Sequence, residues 1–340
     1  MKHNPSATDW TAYWASGALH SCVGSFRGIY EGAIQSFWRS AWIQHIRPGD
    51  RILDLGCGNG PLALLLLNEA PDWGSYLGID LAAISPGWHS QMKASKLERI
   101  QFRGRTSMTQ TEQPSGSFDW LVSQFGVEYA DPRAWVPEVS RVLSDTPNLV
   151  LFLHHAQSRL VMAAREEVAH ADWLFSEGGL MTIASTMIEP MALSRSIQGR
   201  KQLERSAQAR QARERFNAAQ DELDRRAAES PIPDLLFQAR EACAEILGLA
   251  QTQGVAPAQQ AWTHWRRATQ EARARQAELV SAALDTASAE SLMQQLLALR
   301  PGLLSRLVPI SEGRYLLGWG LSIHSQRSQS ACRTSHIPFT

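Results

Sequence analysis

Carboxylates and imidazoles fall at the ends of apolar runs in this chain, where a fold can hold them against a ligand. Asp54 lies near the end of the run Ile52–Leu55, which enters a loop containing Gly56, Gly58 and Gly60. Alternating glycines let a backbone turn tightly and leave bare peptide beside a ligand. Asp80 ends a second apolar run, Gly74–Leu81. It stands about 20 residues past the glycines, the spacing at which an acidic side chain accepts from ribose hydroxyls. Glu128-Tyr129 and His154-His155 follow two further apolar runs. A carboxylate there could take a proton or hold a cationic group, and an imidazole titrates near neutrality, as suits a general base. Adjacent on a strand end, one histidine is expected to face inward and the other outward.

The elements that must position these groups follow from the pattern. Arg51–Leu62 reads as a strand, a glycine loop and the start of a helix, with Pro61 at the first helical position. Ser117–Gly126, SFDWLVSQFG, reads as a turn and a strand that carries Ser123, Gln124 and Phe125 at its C-terminal end. Pro132–Leu143 reads as a helix and Asn148–His154 as the next strand. The third glycine comes one residue too early for a dinucleotide fingerprint, and no Gly-Lys-Ser/Thr follows, which excludes a P-loop.

D-L-G-C-G-N-G over Asp54–Gly60, followed in order by Asp80, S-F-D and R-V-L, resembles the class I S-adenosylmethionine-dependent methyltransferases across roughly residues 50–155. The resemblance implies an α/β fold: a seven-stranded Rossmann-like sheet with helices on both faces. It implies S-adenosyl-L-methionine as cofactor, bound by Asp54, Gly56, Cys57, Gly58, Asn59, Gly60, Asp80 and Leu81. Ser123, Gln124 and Phe125 would add contacts from the fourth strand. Glu128 and Tyr129 stand where many small-molecule members of the class carry a His pair, so these two, with His154 and His155, are the catalytic candidates. One position departs from the family: Gly104 is followed by Arg105 and Thr106 where many members have Gly-Asp-Ala, whose Asp contacts the adenine amino group. Adenine then falls to neighbours such as Ser107 or Met108.

The 340 residues are enough for a full α/β domain plus a sizeable addition. Lys+Arg and Asp+Glu both number 33, so no basic field favours nucleic acid. Cys22, Cys57, Cys243 and Cys332 lie far apart without metal spacing, as expected of reduced thiols in a cytoplasmic protein. No apolar run approaches the ~18–20 residues of a membrane span, and no signal-peptide core is expected at the N-terminus.

Five regions are expected. Residues 1–49 form an aromatic helical cap or lid, in which Tyr13, Trp14 and Tyr30 are candidates to wall the site, since ring faces suit a sulfonium cation. Residues 50–156 form the binding core. Residues 157–302 form a helical insertion between strands five and six, a candidate lid, substrate arm or homodimer arm, with long helices over Gln198–Glu229 and Thr263–Ala283. Its Trp173, Phe175, Met181, Met187 and Met191 suit an acceptor pocket or plain core packing. Residues 303–326 supply the last two strands and 327–340 a tail.

The expected function is metal-independent methyl transfer to an O, N, S or C atom of a small molecule. No N/D-P-P-Y/F sequence ends strand four, no cysteine follows strands four or five for covalent attack, and no acidic ligand set for a metal can be assembled. Two alternatives stand beside it: a protein or RNA acceptor docked on the inserted helices, and a non-catalytic cofactor-binding scaffold, for which Arg105 is the one supporting feature.

Overall fold

A computed structural model describes residues 7–21, 28–70, 72–89 and 98–325. Cys22, Cys332 and the expected tail at 327–340 lie outside them. The chain divides into two compact units, one running to Val161 and resuming at Glu278, the other spanning Met162–Ala277.

The first unit is built on seven strands: β1 (Arg51–Leu55), β2 (Ser75–Ile79), β3 (Ile100–Arg103), β4 (Phe118–Gln124), β5 (Leu143–Leu153), β6 (Leu303–Glu312) and β7 (Tyr315–Ser325). Their order is β3-β2-β1-β4-β5-β7-β6. The first five are parallel, and β7 runs antiparallel to both β5 and β6. This is the α/β, seven-stranded arrangement that the motif order implies, with the helical region between β5 and β6. The central strands are buried almost throughout, as parallel strands covered on both faces must be. Pro309 sits on the edge strand β6, where a missing ladder donor is tolerated.

Helices α1 (Ala7–Ala15), α2 (Gly32–Ala41), α3 (Pro61–Glu69) and α4 (Pro132–Val142) flank the sheet sequence. Pro61 opens α3 directly after Gly60, whose φ of +78° makes the turn. Asp131 caps α4 by accepting from Arg133 N at 3.0 Å. The cap expected over 1–49 divides in two. Ile34, Phe37 and Trp38 of α2 are buried with Trp120, Val150 and Phe152 of the sheet, so α2 belongs to the main core. Tyr13 and Trp14 of α1 join only a small satellite cluster around Ala82.

The second unit is helical: the C-terminal part of α5 (Arg159–Leu174), then α6 (Leu180–Leu193), α7 (Ile197–Arg205), α8 (Ala207–Glu229), α9 (Asp234–Gln253) and most of α10 (Val255–Ala282). Met181 and Met187 are buried in its own core beside Leu223 and Leu236. The helix expected over Gln198–Glu229 breaks at Ser206, whose hydroxyl leaves the ladder to accept from Ala209 N and start α8. Helix α6 packs against both α8 and α9. The compact helical unit is narrower than the 157–302 insertion, because α11 (Thr286–Leu297) buries Ala289, Leu292 and Leu296 in the core of the first unit. The returning chain is stitched beside the end of β5 by Leu284 N to His154 O at 2.8 Å and Ala156 N to Leu284 O at 2.9 Å. Among the described residues no helix is long and apolar enough to cross a membrane.

Candidate functional site

Strand order reverses between β1 and β4, and in open α/β sheets ligands bind beyond the C-terminal strand ends at such a switch point. A cavity of about 440 Å³ opens there, within the first unit. Its floor is the glycine loop and the end of β4. Gly56 and Gly126 meet backbone to backbone: a Cβ on Gly56 would stand 2.9 Å from Gly126 Cα, and one on Gly126 would stand 2.6 Å from Leu55 O. Ser123 ties the same two strand ends, its hydroxyl donating to Leu55 O at 2.7 Å.

Asp80 is placed at the cavity wall with its carboxylate ordered by the backbone. Oδ2 accepts from Gly58 N at 2.9 Å and Oδ1 from Ala82 N at 2.8 Å. Each oxygen keeps a second acceptor position, as a vicinal diol requires. Burial raises the Asp80 pKa, against those two backbone hydrogen bonds. Beside it, Leu81 is 41% exposed and lines the cavity with Met108. The segment after β3 turns at Arg105, where φ is +56°, held by Arg105 N to Ala82 O and Thr106 N to Asp80 O. Arg105 does not line the cavity, whereas Thr106, Ser107, Met108 and Thr109 do.

Of the other residues expected at the cofactor, Gly56, Cys57, Gly58, Gln124, Phe125, Trp14 and Tyr30 line the cavity. Asp54, Asn59, Gly60, Ser123 and Tyr13 do not. Asp54 lies buried beneath the loop, where Tyr76 Oη donates to its Oδ2, and burial pushes its pKa up to about 8. Tyr13 donates its hydroxyl to His20 O. Asn59 binds the N-terminal segment, donating to Trp14 O at 3.0 Å and Ala18 O at 2.7 Å. Gln124 holds α2, its Oε1 accepting from Trp38 Nε1 at 2.5 Å. The wall also includes Trp10, Leu19 and His20, which are not among the residues expected at the cofactor. The helical spacing of Trp10 and Trp14, legible in the sequence, puts both rings on one face of α1.

The four catalytic candidates separate. Tyr129 lines the cavity, its ring edge-on to Trp10. His154 is fully buried behind Phe125, with the two rings stacked at 4.0 Å, and its Nε2 stands 3.4 Å from Tyr129 Oη. Burial pushes the His154 pKa down to about 3, so this imidazole is neutral. His155 is stacked on Trp319, its Nδ1 accepts from Gln157 N at 2.9 Å, and burial lowers its pKa. The two rings go to different clusters, His154 onto Phe125 and His155 onto Trp319, and neither lines the cavity. Glu128 is buried and accepts from His154 N at 2.9 Å, on the side of a separate cleft beside α11.

Residues 52–146 match the family model of a methyltransferase domain. That stretch carries β1 to β4, the glycine loop and Asp80, so the part of the first unit that builds the cavity floor is similar to a methyltransferase domain. The chain is similar to the malonyl-[acyl-carrier protein] O-methyltransferase of Paenibacillus sp. (strain JDR-2), at 29% identity over 140 residues, which cover 40% of this chain and 50% of that protein. It thus spans about half the length of the curated relative it matches. Among solved structures it is similar to the YcgJ protein of Bacillus subtilis, at 21% identity and a TM-score of 0.32, covering 41% of this chain and 58% of that one. A geranyl diphosphate C-methyltransferase of Streptomyces coelicolor A3(2) is 19% identical with a TM-score of 0.35, covering 45% and 66%.

Proposed function

We propose that the protein binds S-adenosyl-L-methionine in the cavity at the β1 and β4 ends and transfers its methyl group to a small-molecule acceptor. The observation that carries this is the ordered Asp80 carboxylate on the wall of a cavity whose floor is the glycine loop, inside a methyltransferase domain. The residues present fit the cofactor. Asp80 would hold the ribose hydroxyls, and Leu81 and Met108 would give the adenine apolar contact, without the family's acidic contact. Trp10, Trp14 and Tyr30 would supply ring faces to the cationic end.

When bound, the sulfonium supplies an activated methyl group and its own leaving group. The chain's part is alignment and exclusion of water. Tyr129 is the expected catalytic residue that lines the cavity, and its hydroxyl would orient the acceptor. His154 acts only through Tyr129: a neutral ring wedged behind it, fixing its position. A low-pKa, buried imidazole is a poor proton acceptor at neutral pH, so no base role is assigned to it. Free, buried thiols at Cys57 and Cys243 support a cytoplasmic location.

Asp80→Ala tests the reading. Loss of charge-assisted hydrogen bonds to two hydroxyls should weaken cofactor affinity by more than ~1 kcal/mol, about fivefold or more. Equal affinity of the variant and the parent by calorimetry would sink the assignment.

A further inference from the structure

Asn59 stands in the glycine loop, yet its side chain does not line the cavity and is turned toward the segment that holds Trp14 and Ala18. Both hydrogens of its amide are spent on carbonyls of that segment, Trp14 O in the last turn of α1 at 3.0 Å and Ala18 O three residues beyond the helix at 2.7 Å. Trp14 O, in the last turn of α1, also accepts from Gly17 N at 3.1 Å, so the amide adds a second donor there from another element and ties the chain beyond the helix at Ala18. Two acceptors in front of one nitrogen also fix which way the amide points, and leave Asn59 Oδ1 buried without a partner among the described residues.

The loop side of this contact is rigid. Gly58 and Gly60 flank Asn59 at φ of +50° and +78°, and Trp88 Nε1 donates to Asn59 O at 2.7 Å. The bare face of Gly58 is filled by the Trp14 ring, which a Cβ there would meet at 2.7 Å. Among the described residues, the rings of α1 join the satellite cluster with Ala82 and Ile84 and neither of the two large clusters on the sheet. Beyond Asn59, its polar ties to the rest of the unit include Ala83 N to Thr11 Oγ1 at 3.0 Å and Trp10 Nε1 to Glu278 Oε2 at 2.9 Å. A segment with few buried apolar contacts opens locally at low cost. That segment supplies Trp10, Trp14, Leu19 and His20 to the cavity wall.

We propose that Asn59 is the latch of this cavity: a positioning residue whose amide fastens α1 over the ligand and so sets the rate at which ligand is exchanged. The proposal rests on the cofactor reading above for the identity of the ligand. Its structural half, that Asn59 holds α1 down, stands on the geometry alone.

Asn59→Asp keeps the shape and replaces two donors by an oxygen facing two carbonyls. Hydrogen exchange on the ligand-free 340-residue chain should show faster exchange over residues 10–18, by about tenfold for one lost pair of hydrogen bonds, with β1, β4 and β5 unchanged. With S-adenosylhomocysteine as probe, association and dissociation rates should both rise, because a loosened gate speeds passage in each direction. A rise in the dissociation rate alone would mean that Asn59 touches the ligand, and would overturn the proposal. Unchanged exchange over residues 10–18 would overturn it as well. Thr11→Val, which loosens α1 from its other side, should act in the same direction and serves if Asn59→Asp does not fold. If the parent protein binds no S-adenosylhomocysteine while exchange over residues 10–18 responds as stated, the cofactor reading fails and the contact role of Asn59 survives.

Discussion

Asp54 shows how far a residue's type can be read from sequence and where its environment takes over. A carboxylate at the end of β1 was legible from D-L-G-C-G-N-G, and its place beside the glycines is as expected. Its burial was not, because that depends on Tyr76, which arrives from β2 in register with Ile52. Burial pushes the Asp54 pKa up to about 8, against the Tyr76 hydrogen bond, which pulls it down. A folded-state pKa above the unfolded one stabilises the fold fully below about pH 4, and this contribution is lost as pH rises through about 8. Stability should therefore fall between pH 5 and pH 7.5 by at least about 1 kcal/mol from this group. Asp54→Asn should flatten that slope in urea unfolding at the two pH values; an equally steep slope in the variant would refute the assignment. His154 was chosen for a pKa near neutrality, and the same physics defeats it: the strand end that places the ring also buries it.

At the scale of elements, the strands were legible because apolar runs and turn residues are local properties. The sequence of β1, glycine loop and α3, the Asp80 position and the two closing strands all stand where the pattern puts them. What escaped depends on partners distant in the chain. Asn59 was expected at a ligand because of its motif, and only the fold reveals Trp14 and Ala18 as its acceptors. Ser206 broke a run of good helix formers because its hydroxyl caps the next helix. Gly126 closes SFDWLVSQFG in a way the sequence marks only as a turn, whereas the structure gives it a steric reason. Gly126→Ala would press a methyl against Leu55 O and the Ser123 hydroxyl, at 2.6 and 2.8 Å. Parting the β1 and β4 ends should cost about 1–3 kcal/mol of stability, as overpacking typically does, and should weaken cofactor binding with it. A variant with parental melting temperature and affinity would show that the two loops do not need their close approach.

For the whole molecule, the division into an α/β unit and a helical unit was legible in composition: glycine-punctuated apolar runs in one, Ala/Arg/Gln/Glu-rich stretches in the other. The boundary was not, because α11 is helical in pattern but packs on the sheet. Each unit has its own core, and every residue lining the 440 Å³ cavity belongs to the first. Leu223, fully buried in the helical unit, provides the test. Leu223→Ala should destabilise that unit by about 2–5 kcal/mol while leaving cofactor affinity unchanged. Loss of affinity in step with stability would show that the site depends on the helical unit's integrity.

The claim on which the rest depends is that the cavity at the β1–β4 switch point holds S-adenosylmethionine. Calorimetric titration of the 340-residue chain with S-adenosylmethionine, S-adenosylhomocysteine and, as a control, NAD tests it directly. The account predicts micromolar, one-to-one binding of the first two and none of the dinucleotide, whose fingerprint the loop lacks. Absence of binding by both sulfur ligands would contradict it.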